Sequence, residues 1–598
     1  MPARLIACLI VLTVVLSGFT AALSQEGLPP LPAPVAEDEE VEAREAAPPP
    51  SMPQMPAPPA GPDRPKRDSP QPPKEPTIPT ERVAPAPPTE KVLTTPTSPG
   101  RDWTMYKYDP AHTGYTVERL SFPLKLAWKH VTDMSADNPS SPAVKDGVVY
   151  FCSGRRLYAV NAETGSLRWR YPASESLTAS IRSSPLVGDG LVYFGAGDGR
   201  LYAVTTEEGS LAWSLGTRRS ISSSPVLVDG VIYVGSDSEE LYALDARTGT
   251  MKWPGPFRTK DDIASSPAVA DGLVYFFSSD TILYAAHTAS GRIKWVKRVG
   301  TGSRHATPVV AENVVYLGAG NALYAFQAKS GRLKWAIPLS SDITTTPSAA
   351  LGAVFFACKN GKLYALTNAG KLKWKAPVDI GAPAYGSPVI AGDTVIVTAN
   401  KGIILAADVE TGVVKWKYVA EPSALKGGKL KYVNLAAAPV VSNGALYVLA
   451  DDGALLAFRP DIPDSTPPQI VTVRPTRDFL TPGTPPIEIS AIVKDTGSGI
   501  KYDTVTLTLD DEPVEHNVIP ERGIIWYKTP RTQPVTNLPD GRHTASLLLT
   551  DWAGNKTYME WSFVVDNRLR FPPKPTPAAD KAKSAPGVPG PPPPAMHR

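Results

Sequence analysis

The sequence predicts an all-β chain: an eight-bladed β-propeller closed by an N-terminal strand, followed by a smaller β-sandwich. Three observations carry that prediction. The stretch LYAVNAETGSLRW, Leu157 to Trp169, recurs with a period of about forty residues, the mark of a repeat architecture. Each copy is preceded by a Ser-Pro-like step and a short apolar run, as in SSPAVKDGVVYF from Ser140. The steps outnumber the complete copies by one, and an orphan copy of the missing part stands ahead of the first repeat.

Within a repeat the elements follow in order. Ser-Pro-Ala-Val opens a first short strand, and Asp146-Gly147 is a tight-turn dipeptide leading to a second, Val148 to Phe151. Leu157 to Val160 is the third strand. Thr164-Gly165 turns the chain, Gly being free to take positive φ, and Leu167-Arg168-Trp169 is the fourth strand. Four short antiparallel strands per repeat describe a propeller blade; β-branched and aromatic runs cut by Gly turns argue against a helical solenoid.

The first-strand prolines are Pro142, Pro185, Pro225, Pro267, Pro308, Pro347, Pro388 and Pro439, which makes eight. The fourth-strand tryptophans Trp169, Trp213, Trp253, Trp295, Trp335, Trp374 and Trp416 make only seven. The last repeat, Ala438 to Phe458, has three strands and runs into Pro460, while LKLAW, ending at Trp128, precedes the first. The two fragments complete one blade and leave no open edge.

The repeated third strand, Thr-Gly turn and fourth-strand Trp resemble the tryptophan-docking motif of the pyrroloquinoline quinone (PQQ)-like propeller family. The lead-in DWTMYKYDPAHTGYT, Asp102 to Thr116, is similar to that family's as well. The resemblance covers roughly Asp102 to Arg459 and implies the fold. Its functional range is wide: quinoprotein dehydrogenases, an outer-membrane assembly factor, sensors and scaffolds. The eight tryptophans, Trp128 included, are expected to wedge between blades rather than stack on a ligand. Each indole buries roughly 150–250 Å², worth on the order of 4–6 kcal/mol at most.

Outside the ring, residues 1–24 read as an export signal, with Arg4 ahead of the apolar Leu5 to Leu16 and small residues before Gln25. Cys8 lies early in the apolar run rather than after it, the wrong place for a lipoprotein box. The remaining cysteines, Cys152 and Cys358, fall in different blades and are expected to be buried and unpaired. Residues 25–100 are a Pro-rich, low-complexity linker expected to be disordered, and 568–598 a Pro-rich tail of the same kind. Residues 101–460 form the propeller and 467–567 the sandwich. About seven short alternating strands in the latter suggest an immunoglobulin-like sandwich, and KDTGSGI, LPDGRHT and DWAGN look like phrases of bacterial surface-protein immunoglobulin-like domains. Asp495, Asp551 and Asn555 offer calcium-type oxygens, but Asx turns explain them better, so no metal is assigned.

A net charge of +3 on nearly 600 residues gives no reason to expect nucleic acid. Propeller ligands bind where loops entering the inner strands converge. Those loops hold Arg182, Arg218, Arg219, Asp262, Arg304, His305 and Tyr385, an arginine-rich arc suited to an anionic ligand or acidic peptide. The long connection from Tyr418 to Asn434 adds Lys426 and Lys429 as candidate partner-binding residues. A quinoprotein dehydrogenase would resemble a longer propeller with adjacent cysteines and carboxylates for calcium. No Cys-Cys, metal-spaced His/Cys set or nucleophile motif occurs here, and His112 and His305 stand alone. The expectation is therefore a non-catalytic, cofactor-free, monomeric scaffold outside the cytoplasm, in the periplasm or at the cell surface. It would bind envelope or outer-membrane proteins and touch a membrane only through an uncleaved signal. Surface adhesion and glycan binding, or PQQ-dependent oxidation, are the alternatives.

Overall fold

The computed structural model describes residues 102–135, 140–300, 306–424, 430–531 and 537–569. The segments expected at 1–24 and 25–100, and all but the first two residues of 568–598, lie outside them.

Among the described residues, eight antiparallel sheets carry the four-strand order of the repeat. The first consists of Ala143–Lys145, Val148–Ser153, Arg156–Asn161 and Leu167–Tyr171, in that order. The two middle strands of each blade are almost wholly buried, as Val148–Ser153 illustrates, because both their faces pack on neighbouring blades. Lys145 pairs with Val148 across Asp146-Gly147, whose φ angles are 49° and 72°. Such a two-residue turn needs both central residues left-handed, which Asp-Gly supplies at little strain.

The ring closes as the count implied. Lys125–Val131 pairs antiparallel with Ala454–Arg459, with Lys125 opposite Arg459 and Val131 opposite Ala454, and forms the fourth strand of the last blade. Two fourth strands differ from expectation. In the third and sixth blades the outer strand shrinks to Phe257–Arg258 and Val378–Asp379, with only isolated bridges at Met251 and Leu372. Pro254, Pro256 and Pro377 lie in these stretches and have no N–H for a ladder.

Trp253 and Trp374 still dock. Each indole N–H donates to a carbonyl in the following blade: Trp128 to Ala162 at 3.2 Å, Trp169 to Thr206 at 2.9 Å, and likewise through Trp374 to Val409 at 3.0 Å. The ring lies flat on the turn glycine of that blade. A Cβ added at Gly165, Gly209, Gly249, Gly291, Gly331, Gly370 or Gly412 would meet a neighbouring side chain, in nearly every case the docked tryptophan, at 2.5–3.0 Å. Glycine is thus required there twice over, for positive φ and for room.

Trp416 is the exception that the closure creates. The eighth blade draws its third and fourth strands from opposite ends of the ring segment, so no turn joins them. The seat is supplied instead by the sandwich: Trp416 Nε1 donates to the Ser498 carbonyl at 2.9 Å, in the DTGSG turn. Trp416 is fully buried, with Phe122 and Phe458 against it.

The sandwich has one sheet ordered Gln469–Arg474, Glu488–Lys494, Ile524–Lys528, Asn517–Ile519. The other is ordered Leu480–Thr481, Lys556–Val565, Gly541–Thr550, Thr506–Leu509, Glu512–Pro513. Ile489, Ala491, Val493 and Ile525 from the first face Leu507, Ala545, Leu547, Trp561 and Phe563 from the second in one core. Further ties to the ring are Lys401–Glu521 at 2.7 Å and Arg522 on the Tyr432 hydroxyl and ring.

In the sixth blade the tight turn is Leu351-Gly352, and Leu351 holds φ at 54° while 47% exposed. A γ-branched residue there is strained where Asn is not. Leu351→Asn is therefore expected to stabilise the chain by about 1 kcal/mol, read as a higher urea midpoint at unchanged slope; an unmoved or lower midpoint would show that the turn stores no strain.

Candidate functional site

The lead-in segment decides what kind of site the ring offers. It runs across the inner strands rather than along one blade. Trp103 pairs with Val144, the Thr104 carbonyl accepts from Val187, Pro110 from Val269, Ala111 from Val310, Thr113 from Ala349 and Gly114 from Ile390. Tyr115–Thr116 then lies parallel to Val389–Ala391, and the Glu118 carboxylate accepts the backbone N–H groups of Asn443 and Gly444. The segment thereby binds the inner strands or turns of seven blades and seals the axial channel at one level.

Above this floor the channel is lined by hydroxyls. The residue before each blade proline is Ser or Thr in seven blades and Ala438 in the eighth. These hydroxyls form a blade-to-blade belt. Ser184 Oγ accepts from Ser141 N–H at 3.0 Å, Ser224 Oγ from Ser184 N–H at 2.9 Å, Ser266 Oγ from Ser224 N–H at 2.9 Å, and Ser141 Oγ from Ala438 N–H at 3.1 Å. Tyr106 rises from the lead-in to the belt, its hydroxyl 2.8 Å from Thr346 Oγ1 and 3.2 Å from Ser387 Oγ. The result is a funnel of about 240 Å³ whose lining includes Tyr106, Ser184, Ser224, Ser266, Arg182 and Tyr385.

Arg182 is exposed at its mouth and Tyr385 is 43% exposed. Arg218 and Arg219 are not in the funnel. They border a separate shallow depression with Asp198, Asp237 and Asp262, and Arg219 pairs with Asp262 at 3.5 Å. The arginine arc of the sequence is therefore split, because the neighbouring blade supplies an acid to one of its members. Arg304, His305, Lys426 and Lys429 lie outside the described residues; Ser423–Ala424 pairs antiparallel with Leu430–Lys431.

Beneath the funnel the lead-in carries ionisable groups out of water. Burial pushes the Lys107 ammonium down to about 7, and its Nζ bonds Ser348 Oγ and, at 2.7 Å, the Pro388 carbonyl. A neutral amine has two N–H donors for these two acceptors. Burial, then the Lys107 charge, holds His112 down to about 3, so it is neutral, edge-on to Tyr106. Burial raises Asp109, against the bonds it accepts from Thr113. Lys107 and His112 are closed off from solvent and Asp109 is half-buried, so the cluster is a structural plug. Cys152 and Cys358 are buried and unpaired, with burial raising both thiols.

In the sandwich, two aspartates close their own turns with bonds four residues on, longer than the Asx turns expected: Asp551 Oδ1 accepts Asn555 N–H at 2.8 Å and Asp495 Oδ2 accepts Gly499 N–H at 2.6 Å. Asn555 turns its Nδ2 to Asp551 and to the Asp464 carbonyl. Burial, with the charges of Asp464 and Asp551, pushes Asp495 up to about 6.

The family described as outer membrane protein assembly factor BamB (PQQ_2) matches residues 125–224, 214–358 and 342–462, more than half of the chain. The chain belongs to that family. Solved structures similar to it include BamB from Moraxella catarrhalis, 17% identical with a TM-score of 0.46, covering 56% of this chain and 99% of that one. Quinohemoprotein alcohol dehydrogenase from Comamonas testosteroni is 16% identical with a TM-score of 0.50, covering 62% and 82%. At these identities the likeness speaks to the fold alone. Among curated proteins there is no significant match. The quinone and calcium of the dehydrogenase branch need acidic ligands. The funnel lining of this PQQ-repeat propeller, among the described residues, is hydroxyls, small side chains, two tyrosines and one arginine, with no carboxylate. The residues present do not fit that cofactor.

The Lys107 environment sets a pH test. The unfolded lysine keeps its proton up to about 10.4, whereas the folded one loses it near 7, so the cost of burying it is full below about 7 and declines as pH rises. Wild-type stability is expected to rise relative to Lys107→Met between pH 7 and 9.5, read from urea midpoints; a constant difference would contradict it.

Proposed function

We propose that the chain is an exported, non-catalytic protein-binding scaffold of the cell envelope, serving outer-membrane protein assembly or envelope organisation. The observation that carries this reading is the half-closed funnel. The lead-in seals its floor, and Arg182 and Tyr385 stand exposed at its mouth over a belt of hydroxyls. A cation beside an exposed aromatic suits an acidic or aromatic segment of a partner protein, and the hydroxyls beneath are already engaged in holding blades together. In this reading residues 1–24 direct export, 25–100 tether the ring, and 101–460 present the funnel. The immunoglobulin-like unit 467–567 is a second surface in the same compact unit. Membership of the BamB-described family supports an envelope setting, and no helix among the described residues is long and apolar enough to cross a membrane.

A photo-crosslinking side chain placed at Tyr385 of the full-length protein tests this in cells. It is expected to capture an envelope protein that a probe at Leu333, on the outer rim, does not. Arg182→Glu is expected to weaken capture about tenfold, equivalent to about 1.4 kcal/mol. Capture only from the sandwich, at exposed Tyr558, would favour surface adhesion instead. Alcohol oxidation by the purified chain supplied with the quinone and calcium would overturn the scaffold reading.

A further inference from the structure

Three carboxylates from separate stretches meet where ring and sandwich join. Asp464 belongs to the linker between the last ring strand and the first sandwich strand, Asp495 opens the DTGSG turn, and Asp551 opens the DWAGN turn. One oxygen from each lies within 4.8 Å of the others. Two of the three are screened from water, Asp551 at 1% exposed and the Asp464 side chain at 2%, while Asp495 is half-buried.

The partners of these oxygens do not balance them. Asp464 accepts the Ser498 N–H at 2.6 Å and the Thr466 N–H at 3.1 Å, and Asp551 takes both its bonds from Asn555 at 2.8 Å. Asp495 Oδ2 accepts from Gly499, but Asp495 Oδ1 is closed off from solvent and accepts nothing. An orphaned, sealed carboxylate oxygen is costly unless something charged meets it. Against three acids, the one ion pair among the described residues is Lys125 to Asp464, at 3.7 Å.

We propose that Asp464, Asp495 and Asp551 form a hard divalent-cation site, sized for calcium, that clamps the sandwich to the ring. Three carboxylate oxygens all within 4.8 Å of one another can share one centre at calcium–oxygen distances of about 2.3–2.6 Å, and calcium accepts an irregular oxygen shell where magnesium demands a near-ideal octahedron at about 2.0–2.1 Å. The ligand set explains why the site is a clamp. One ligand comes from the linker and two from sandwich turns. Ser498 ties Asp464 with its N–H and seats Trp416 with its carbonyl. Asn555, an oxygen candidate by sequence, serves from behind by orienting Asp551 and the linker. Grooves on either side, bordered by Asp495 together with Lys129 and Glu421 or with Tyr502 and Glu521, give an ion access.

The test uses the purified full-length protein, stripped with EGTA and titrated with calcium or magnesium chloride at pH 7.5. One calcium per chain is expected by calorimetry, with a melting temperature raised by roughly 5 °C at a hundredfold excess over Kd. Slower proteolysis of the 460–468 linker is expected as well. Magnesium at the same excess is expected to leave melting unchanged. Asp495→Asn is expected to lose the calcium response yet melt no lower than wild type in EGTA, because it removes a repelling charge; a mere folding defect would lower it. Superimposable melting curves in EGTA and calcium, an equal response to magnesium, or an intact calcium response in Asp495→Asn would each overturn the proposal.

Discussion

An indole lying on a left-handed glycine, with its N–H on a carbonyl of the next blade, is the contact on which the rest of this structure depends. Seven copies use a Thr-Gly-like or Ala-Gly turn of the neighbouring blade as the seat. The bond and the burial act together: the ring removes a large apolar area from water, and the N–H would otherwise be an unpaired buried donor. Because each wedge joins consecutive blades, the ring can be completed only if every blade finds a successor. A chain with two ends must break that rule once, and it does so at the blade built from both ends.

That single break explains the junction. The strand at Lys125–Val131 restores the missing edge, but it cannot restore the missing turn, and Trp416 would face solvent. The DTGSG turn of the sandwich fills the place with the same kind of carbonyl. The sandwich is therefore a structural member of the ring. At the opposite, axial side, the lead-in performs a comparable service, crossing from blade to blade and closing the channel floor, while the pre-proline hydroxyls stitch the inner strands above it. The mouth at Arg182 and Tyr385 stands open above this floor.

Much of this was legible in the sequence because it is local or periodic. The blade repeat, the Asp-Gly turns and the pairing of the Trp128 fragment with the incomplete last repeat follow from spacing alone. The belt of hydroxyls was equally present, as a Ser or Thr before nearly every blade proline, but its role emerges only when adjacent inner strands are seen side by side. Other features had no local trace. Trp416 and Ser498 lie 82 residues apart, in different units with unrelated patterns. Arg219 looks like Arg182 in sequence, and only the fold brings Asp262 to neutralise it. Two outer strands failed where prolines follow the tryptophan, a signal that was readable but subordinate to the repeat. Asp464 sits in a linker, and only the fold shows that it completes a cluster with Asp495 and Asp551.

The central claim is that the N-terminal strand is an integral part of the last blade, held there as firmly as its neighbours. Amide hydrogen exchange, resolved by peptide, tests this most directly. The account predicts that Lys125–Val131 and Ala454–Arg459 are protected to the same degree as the middle strands of the central blades, and that Trp128→Ala lowers protection in both together. Rapid exchange across Lys125–Val131 while Ala454–Arg459 stays protected would show that the ring closes by some other means.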